Sequence, residues 1–294
     1  MSVAGVDLSG GLGGLGFSLA GLLVGAAVGA TGVGGGSLMT PVLILFYGIS
    51  PTLAVGTDLL YASLSKAFGV MLYRHHGSVD WRIVGWQALG SVPASLLTLL
   101  WLQQQGDAAA LDRLIKLTLS LAIIVTATFT LFQGAIAARL RPASRMAQSG
   151  EHPGINPRLQ RILTLLAGAL IGSVVTVSSV GAGAIGMMLL LLLYPKHPPV
   201  KIVGSDLAHA VLITAIAGLG HARLGSVDYR LLAWLLLGAL PGIWIGSRVG
   251  FRLDGAALKR AVACLLLLVG SMTLYKAMAA PASAHAATAV VLSR

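Results

Sequence analysis

Apolar residues along the chain fall into ten segments separated by short polar stretches. Eight segments have the length of a membrane-spanning helix, which needs about 17–25 residues, and two are only long enough for a re-entrant or half-membrane helix. The two short segments are 37–48 and 184–194. The others are 12–30, 55–73, 83–102, 114–138, 159–177, 203–220, 231–247 and 261–279. The pattern predicts an all-α polytopic membrane protein of about 8–10 helical segments, with two broken or re-entrant helices.

Each short segment directly follows a break rich in small residues. The first break, 31–36, contains four glycines in five residues, and a glycine inside a helix is unfavourable by roughly 1 kcal/mol relative to alanine. The second break, 177–184, combines serine, glycine and alanine. Irregular backbone at membrane depth is tolerated only where it is buried in protein or lines a cavity. Both breaks are therefore candidate binding sites.

Composition places the chain in a lipid bilayer. Hydrophobic residues make up 56% of the chain and charged residues 10%, with a mean hydropathy of +0.87. A soluble domain has about a quarter charged residues. The net charge of +11 is interpreted as basic cytoplasmic loops, so no nucleic-acid partner is expected. Cys264 is the only cysteine, which excludes an intrachain disulfide.

An internal repeat relates the two halves of the sequence. Adding 148 to the residue number carries 77–82 onto 225–230, and the two hexapeptides differ only by one aromatic exchange. The same shift carries Gly56-Thr57-Asp58 onto Gly204-Ser205-Asp206. Such a match predicts a duplicated unit. The predicted organisation is a first transmembrane repeat at 1–138, a cytoplasmic linker at 139–158 and a second repeat at 159–294.

Loop charge predicts the orientation of the repeats. With the N-terminus outside, the cytoplasmic connections hold thirteen Lys and Arg residues and the external ones hold four. The positive-inside rule favours this arrangement. Five segments per half then place equivalent loops on opposite sides of the membrane. This is an inverted repeat, an architecture that recurs among secondary transporters.

The paired breaks predict an anion site near the membrane midplane. Half-helix N-termini carry partial positive charge and unpaired N–H groups, which suit an anion, and small hydroxyl side chains add donors. The predicted substrate-binding residues of the breaks are Thr31, Gly34, Gly35, Gly36, Ser37, Ser178, Ser179, Gly181 and Gly183. The alternative is that these small residues only let helices pack closely.

Two acidic residues within apolar segments are candidates for ion coupling, because ionisable groups inside a membrane are costly and commonly functional. They are Asp58 and Asp206, each preceded by a hydroxyl residue, Thr57 or Ser205. The alternative is that these residues cap the N-termini of their helices. The sequence leaves open whether the coupling ion is H⁺ or Na⁺.

Lys66 and His209 are the remaining candidates for substrate binding. Lys66 lies in the middle of an apolar segment, too far from either end for its ammonium group to reach water. It is expected to face a cavity, an anion or an acidic partner, so substrate contact and a structural ion pair both remain open. His209 replaces Tyr61 of the first repeat, and a buried neutral histidine is its alternative interpretation.

Sequence motifs for several enzyme classes are absent. The chain contains no Walker A sequence, no HExxH and no GxSxG. The pair His75-His76 has no companion ligands at metal-binding spacing, so neither a metal nor a cofactor is expected. These observations predict a protein that is not an enzyme.

The chain resembles the TauE/SafE family of sulfite and organosulfonate exporters over 12–279. The resemblance lies in Gly32-Val33-Gly34-Gly35-Gly36-Ser37-Leu38 with Pro41, in Ala54-Val55-Gly56-Thr57-Asp58, in Gly204-Ser205-Asp206 and in the two Gly-Ser-Val-Asp turns. It implies a carrier of the bacterial inner membrane that moves sulfite, a sulfonate or a related sulfur-containing anion outward. It also implies that an ion gradient drives transport and that the glycine break, the Gly-Thr-Asp element and their repeat equivalents form the site.

Three alternatives remain open at this stage. A passive anion channel would share the anion site but would need no coupling ion. A membrane-embedded enzyme or assembly subunit would use the breaks only as packed structure. The sequence also leaves the oligomeric state open, including a homo-oligomer.

Overall fold

The structure is a computed structural model, and it describes residues 2–3, 6–7, 11–31, 36–72, 79–148, 156–195, 197–250 and 255–279. Two short antiparallel strands, β1 (Ser2–Val3) and β2 (Val6–Asp7), precede the helices. The helices are α1 (Gly11–Thr31), α2 (Gly36–Phe46), α3 (Pro51–Leu72), α4 (Trp81–Gln103), α5 (Ala108–Gln148), α6 (Pro157–Ser178), α7 (Ala184–Leu193), α8 (Pro199–Arg223), α9 (Tyr229–Gly250) and α10 (Gly255–Ala279).

The predicted all-α membrane architecture is confirmed. Within the described residues, seven helices are long and apolar enough to cross a membrane: α1, α4, α5, α6, α8, α9 and α10. The predicted short segments correspond to α2, with 11 residues, and α7, with 10. Helix α3 has 22 residues but carries Asp58 and Lys66, which lower its hydropathy.

Helix boundaries follow local signals that the apolar pattern does not contain. Proline opens α3, α6 and α8, where its missing N–H costs nothing because first-turn N–H groups have no helical partner. The side chain of Asn156 accepts a hydrogen bond from Arg158 N at the start of α6. Asp80 caps α4 in the same way through Arg82 N. These helices therefore begin before their apolar segments do.

Helical backbone extends into the predicted linker at 139–158. Helix α5 continues to Gln148, and α6 begins at Pro157, so helical backbone enters the predicted linker from both ends. The segment has no long apolar run, but a helix needs only its own backbone hydrogen bonds, which do not depend on an apolar sequence. The division of the chain into two repeats and a cytoplasmic linker stays a prediction.

Four helix pairs join the halves of the chain, and two of them form long interfaces. Helix α1 packs along α9, α4 packs along α6, α3 packs on α8, and α5 packs on α10. The offset of 148 residues exchanges the first two pairs with each other. Reciprocal hydrogen bonds follow the same relation: Asp228 N donates to Thr57 Oγ1 (3.0 Å), and Asp80 N donates to Ser205 Oγ (2.8 Å). The two repeats therefore make equivalent contacts, while their orientation relative to a membrane stays a prediction.

The α1–α9 interface is built on glycine. An added Cβ at Gly25 would lie 2.5 Å from Ala239 O, and one at Gly238 would lie 1.8 Å from Ser18 O. The opposite face of α1 carries exposed leucines, including Leu19. Small residues between helices and large apolar residues toward lipid are the usual division in a membrane bundle.

We expect Gly238→Ala to destabilise the protein by about 1–3 kcal/mol, because the new methyl group must push α1 and α9 apart. The measurement is thermal unfolding in detergent. Gly85→Ala on α4 is the matched control, since a Cβ there has no atom within 4 Å and alanine has the better helix propensity. Equal melting temperatures for the two variants would contradict the close approach of α1 and α9.

Candidate functional site at the second helix break

The segment between α6 and α7 is an extended, buried break in the fold. Ser179 adopts a left-handed conformation (φ 59°), and Gly181 and Gly183 follow with φ values of 113° and 143°. Glycine is the residue that tolerates these values, which explains why the break requires it at 181 and 183. This break comprises residues 179–183. The residues between α1 and α2, 32–35, lie outside the described part of the chain.

Asp58 holds the beginning of this break. Its Oδ2 accepts hydrogen bonds from Ser179 Oγ (3.0 Å), from Thr40 N (3.2 Å) and from the Thr40 hydroxyl. The residue is fully buried and lies seven residues after the first residue of α3. The interpretation of Asp58 as a helix cap is therefore wrong, and Asp206 lies equally deep in α8. Asp58 instead ties α2 and α3 of the first repeat to the break of the second.

Lys66 holds the other end of the break. Its side chain is 3% exposed, and Nζ donates a hydrogen bond to Ala182 O (2.9 Å). Asp58 and Lys66 are eight residues apart on α3, which corresponds to about 12 Å along the helix axis. Both carboxylates, Asp206 and Asp58, interact electrostatically with the Lys66 ammonium group. One buried cation thus lies among two buried acids.

Asp206 lies against the first turn of α7. An added Cβ at Gly186, the third residue of α7, would lie only 2.1 Å from Asp206 Oδ1. The N–H groups of a first turn lack helical partners and the helix dipole is positive there, so this turn attracts negative charge. The Asp206 carboxylate therefore lies beside the α7 turn at which the sequence predicted a bound anion.

The structure brings some of the predicted site residues together and gives others separate roles. Asp58, Lys66, Ser179 and Asp206 surround the second break. Ser178 Oγ donates to the backbone oxygens of Val174 and Val180, so it stabilises the end of α6. The hydroxyls of Thr57 and Ser205 hold the turns before α9 and α4 instead of contacting the break. His209 Nε2 contacts Ser91 Oγ of α4 at 2.8 Å.

Several candidates of the first break cannot be placed. Gly34 and Gly35 lie outside the described residues, as does the metal-site alternative at His75-His76. Thr31 ends α1 and Gly36 begins α2, followed by Ser37. The described residues contain no group of three metal-binding side chains.

Sequence reasoning missed Thr40, Gly186 and Ser91. Thr40 had a usable signal, because it is a polar residue inside a short apolar segment and is fully buried. Gly186 carried no such signal, since its importance comes from the approach of a carboxylate on another helix. Ser91 is an ordinary small residue of α4 until α8 places His209 beside it.

Comparison with known proteins agrees with this architecture. The family model described as sulfite exporter TauE/SafE matches residues 17–273. The probable membrane transporter protein YjnA of Bacillus subtilis is 36% identical over 259 residues, which cover 86% of this chain and 96% of the relative. YdhB of the same organism, also named a probable membrane transporter protein, is 25% identical over 257 residues, covering 86% of this chain and 97% of its own. A probable membrane transporter protein of Xylella fastidiosa is 23% identical over 261 residues, with 87% and 93% coverage. No solved structure matches the chain.

Proposed function

The chain belongs to the sulfite exporter TauE/SafE family and is a membrane transporter, and we propose that it exports sulfite, an organosulfonate or a related sulfur-containing anion from the bacterial cytoplasm. The observation that carries the proposal is the position of Asp206 at the first turn of α7, beside Lys66. Lys66 supplies a buried cationic donor there, and the first turn of α7 supplies the positive end of a helix dipole, which are the features that an oxyanion needs.

Substrate binding exchanges one anion for another in this proposal. The oxyanion takes the position of the Asp206 carboxylate at the α7 N-terminus and accepts a hydrogen bond from Lys66 Nζ. Lys66 then releases Ala182 O, which loosens the break from α3. This exchange links occupancy of the site to a movement of the break.

Charge balance supports ion coupling at the same site. Two carboxylates, one ammonium group and an added anion would leave excess negative charge in an apolar interior, which is costly. A proton or Na⁺ that binds Asp58 or Asp206 offsets that charge. A doubly charged sulfite that leaves with one such cation still carries net negative charge outward. An inside-negative membrane potential favours this exit by about 2.3 kcal/mol per charge at 100 mV.

Alternating access is the movement that we assign to the two repeats. The equivalent contacts of Thr57 with Asp228 N and of Ser205 with Asp80 N support it. In each contact a hydroxyl group of one repeat accepts a hydrogen bond from a turn of the other repeat. In the proposed topology the N-terminus lies outside, and the two repeats are inverted. Exchange between two such arrangements would open the break to one side at a time.

Counterflow in proteoliposomes tests the transport proposal. Vesicles are preloaded with unlabelled sulfite, and we expect labelled external sulfite to accumulate transiently through exchange. Flux without stimulation by internal sulfite would instead identify a passive channel. Absence of flux for sulfite and for a panel of sulfonates, with folded protein in the membrane, would contradict the carrier and favour an enzyme or assembly subunit.

We expect Gly186→Ala to abolish counterflow, because the added methyl group would displace the Asp206 carboxylate from the first turn of α7. Gly69→Ala on α3 is the matched control, since a Cβ there meets no atom within 4 Å. Both variants are checked for folding by thermal unfolding. Normal counterflow by Gly186→Ala would show that the position of Asp206 does not matter for transport.

A further inference from the structure

Helix α4 carries a buried polar face that its equivalent in the second repeat lacks. Gln87, Ser91 and Ser95 are spaced by four residues, so they lie on one side of the helix, and all three are fully buried. The offset of 148 carries them onto Leu235, Ala239 and Ile243, which are apolar. The equivalent helix of the second repeat therefore packs without these polar groups, so packing alone does not explain their presence on α4.

Hydrogen bonds connect this polar face to α6 and α8. Ser91 Oγ lies 2.8 Å from His209 Nε2, and Ser95 Oγ lies 2.7 Å from Thr176 Oγ1. The Thr176 carbonyl oxygen lies 2.9 Å from His221 Nε2. We call the six residues Gln87, Ser91, Ser95, Thr176, His209 and His221 the polar row.

The polar row extends from a cavity to the acidic site. His221 lines a cavity of about 360 Å³ together with Thr52, Gln103 and Arg223, where α8 ends and α3 begins. At the other end, His209 lies three residues after Asp206 on α8, which places both on neighbouring positions of one helix face. Lys66 interacts electrostatically with both of these side chains.

Buried polar atoms without a hydrogen-bond partner indicate that the polar row takes up a ligand. Both amide atoms of Gln87 and the Nδ1 of His221 are buried without a hydrogen-bond partner among the described residues. Buried polar groups are normally satisfied by protein or by water, and each orphaned group needs an explanation. Two steps of the row, His221 to Ser95 and Ser95 to Ser91, have no direct side-chain hydrogen bond, and bridging water suits such a step.

We propose that the polar row conducts protons between the cavity and Asp206, with His209 as the group that receives each proton and passes it to the carboxylate. Each step moves one proton from an O–H or N–H group to a neighbouring lone pair, so no electrons are exchanged. This inference rests on the proposed transport function and assigns its coupling ion as H⁺. Hydroxyl and imidazole groups can both donate and accept protons, which a route for Na⁺ does not require.

The charged surroundings of His209 fit this role. Lys66 interacts electrostatically with it from α3, and Asp206 lies three residues before it on α8. The charged side chains of α4 and α6, namely Arg82, Arg158 and Arg161, are exposed in the first turns, and α7 carries none between Ala184 and Leu193. At the cavity, Arg223 lies beside His221, and Asp112 of α5 accepts a hydrogen bond from Thr52. His209 is thus the titratable group between the cavity and the acidic site.

The test measures proton flux and anion exchange on the same proteoliposomes. A trapped pH-sensitive dye reports proton movement after addition of sulfite, with protein-free vesicles subtracted because sulfite is itself a weak acid. Labelled sulfite counterflow at equal pH on both sides reports exchange, which needs no net proton movement. We expect His209→Gln to reduce sulfite-dependent proton flux by at least about tenfold. Proton flux is expressed relative to the counterflow of the same variant, so that a folding defect, which lowers both quantities, is distinguished from a loss of proton transfer.

A second variant and a matched control complete the test. Ser95→Ala interrupts the row away from the acidic site and should also reduce proton flux. Thr98→Ala on the same helix should not, since the Thr98 hydroxyl donates to Ala94 O within its own helix. Wild-type proton flux in both His209→Gln and Ser95→Ala would overturn the proposal. Counterflow without any wild-type proton flux, or accumulation driven by Na⁺ alone, would also overturn it while leaving the transport function intact. Absence of wild-type counterflow would instead contradict the transport function.

Discussion

Replacing Lys66 by alanine is expected to weaken sulfite binding by roughly 10- to 100-fold, because the site loses its buried ammonium donor and a hydrogen bond to a charged group contributes about 1.5–3 kcal/mol. The anion would then meet Asp206 and Asp58 without a neighbouring cation. Binding is measured by isothermal titration calorimetry in detergent, with counterflow as the functional readout.

Two further substitutions separate binding from stability. Lys66→Met keeps most of the side-chain volume without charge and should lose binding as alanine does. Lys66→Arg keeps the charge and should retain part of the sulfite affinity, although the planar guanidinium group fits an ammonium site imperfectly. Lys201→Ala, at an exposed position in the first turn of α8, is the control for a lost surface charge. Wild-type sulfite affinity in Lys66→Met with a lowered melting temperature would identify Lys66 as a purely structural partner of the aspartates.

The apolar pattern predicted where the helices lie but not where they begin. Asp58 seemed close to a helix end because the apolar segment starts at 55, whereas α3 starts at Pro51. Asp206 was misjudged for the same reason, since α8 starts at Pro199. Hydropathy reports which residues can face lipid, while helix ends depend on backbone hydrogen bonds and proline. A cap interpretation based on distance from an apolar boundary therefore failed at both aspartates.

The internal repeat predicted which elements correspond, and the helix packing agrees with it. The repeat could not predict how the halves differ at the site. Thr40 donates twice to Asp58, whereas the equivalent position in the second repeat is Met188. Asp206 instead meets the first turn of α7 at Gly186, whose equivalent is Leu38. These contacts join distant parts of the chain, so no local pattern encodes them.

The two repeats hold their aspartates by different contacts, so Asp58 and Asp206 suit different roles. Asp58 is held by donors from α2 and from the break, and its removal would release both. Asp206 lies beside the first turn of α7 and interacts electrostatically with Lys66. Both the turn and Lys66 can bind another anion in its place. Asp58 therefore suits a positioning role, and Asp206 suits exchange with substrate.

Asp58→Asn is expected to preserve the stability of the fold and Asp58→Ala to reduce it. Among the described residues, Oδ2 of Asp58 accepts the hydrogen bonds of the carboxylate, while Oδ1 is buried without a partner. An asparagine can keep its oxygen at the Oδ2 position and direct its amide toward Tyr61, whose buried hydroxyl likewise has no partner within the described part of the chain. Alanine leaves the donors of Thr40 and Ser179 unsatisfied, which costs about 3 kcal/mol or more and lowers the melting temperature by several degrees.

The asparagine variant then isolates the charge of Asp58. It removes one negative charge from the group formed with Lys66 and Asp206 while keeping the hydrogen-bonded geometry. If Asp58 contributes to coupling, this variant should exchange labelled sulfite normally but lose accumulation driven by an ion gradient. Both quantities are measured on one batch of proteoliposomes, so a folding defect would lower them together. Gradient-driven accumulation equal to that of the unmodified protein would remove Asp58 from coupling and leave Asp206 as the acid that carries the ion.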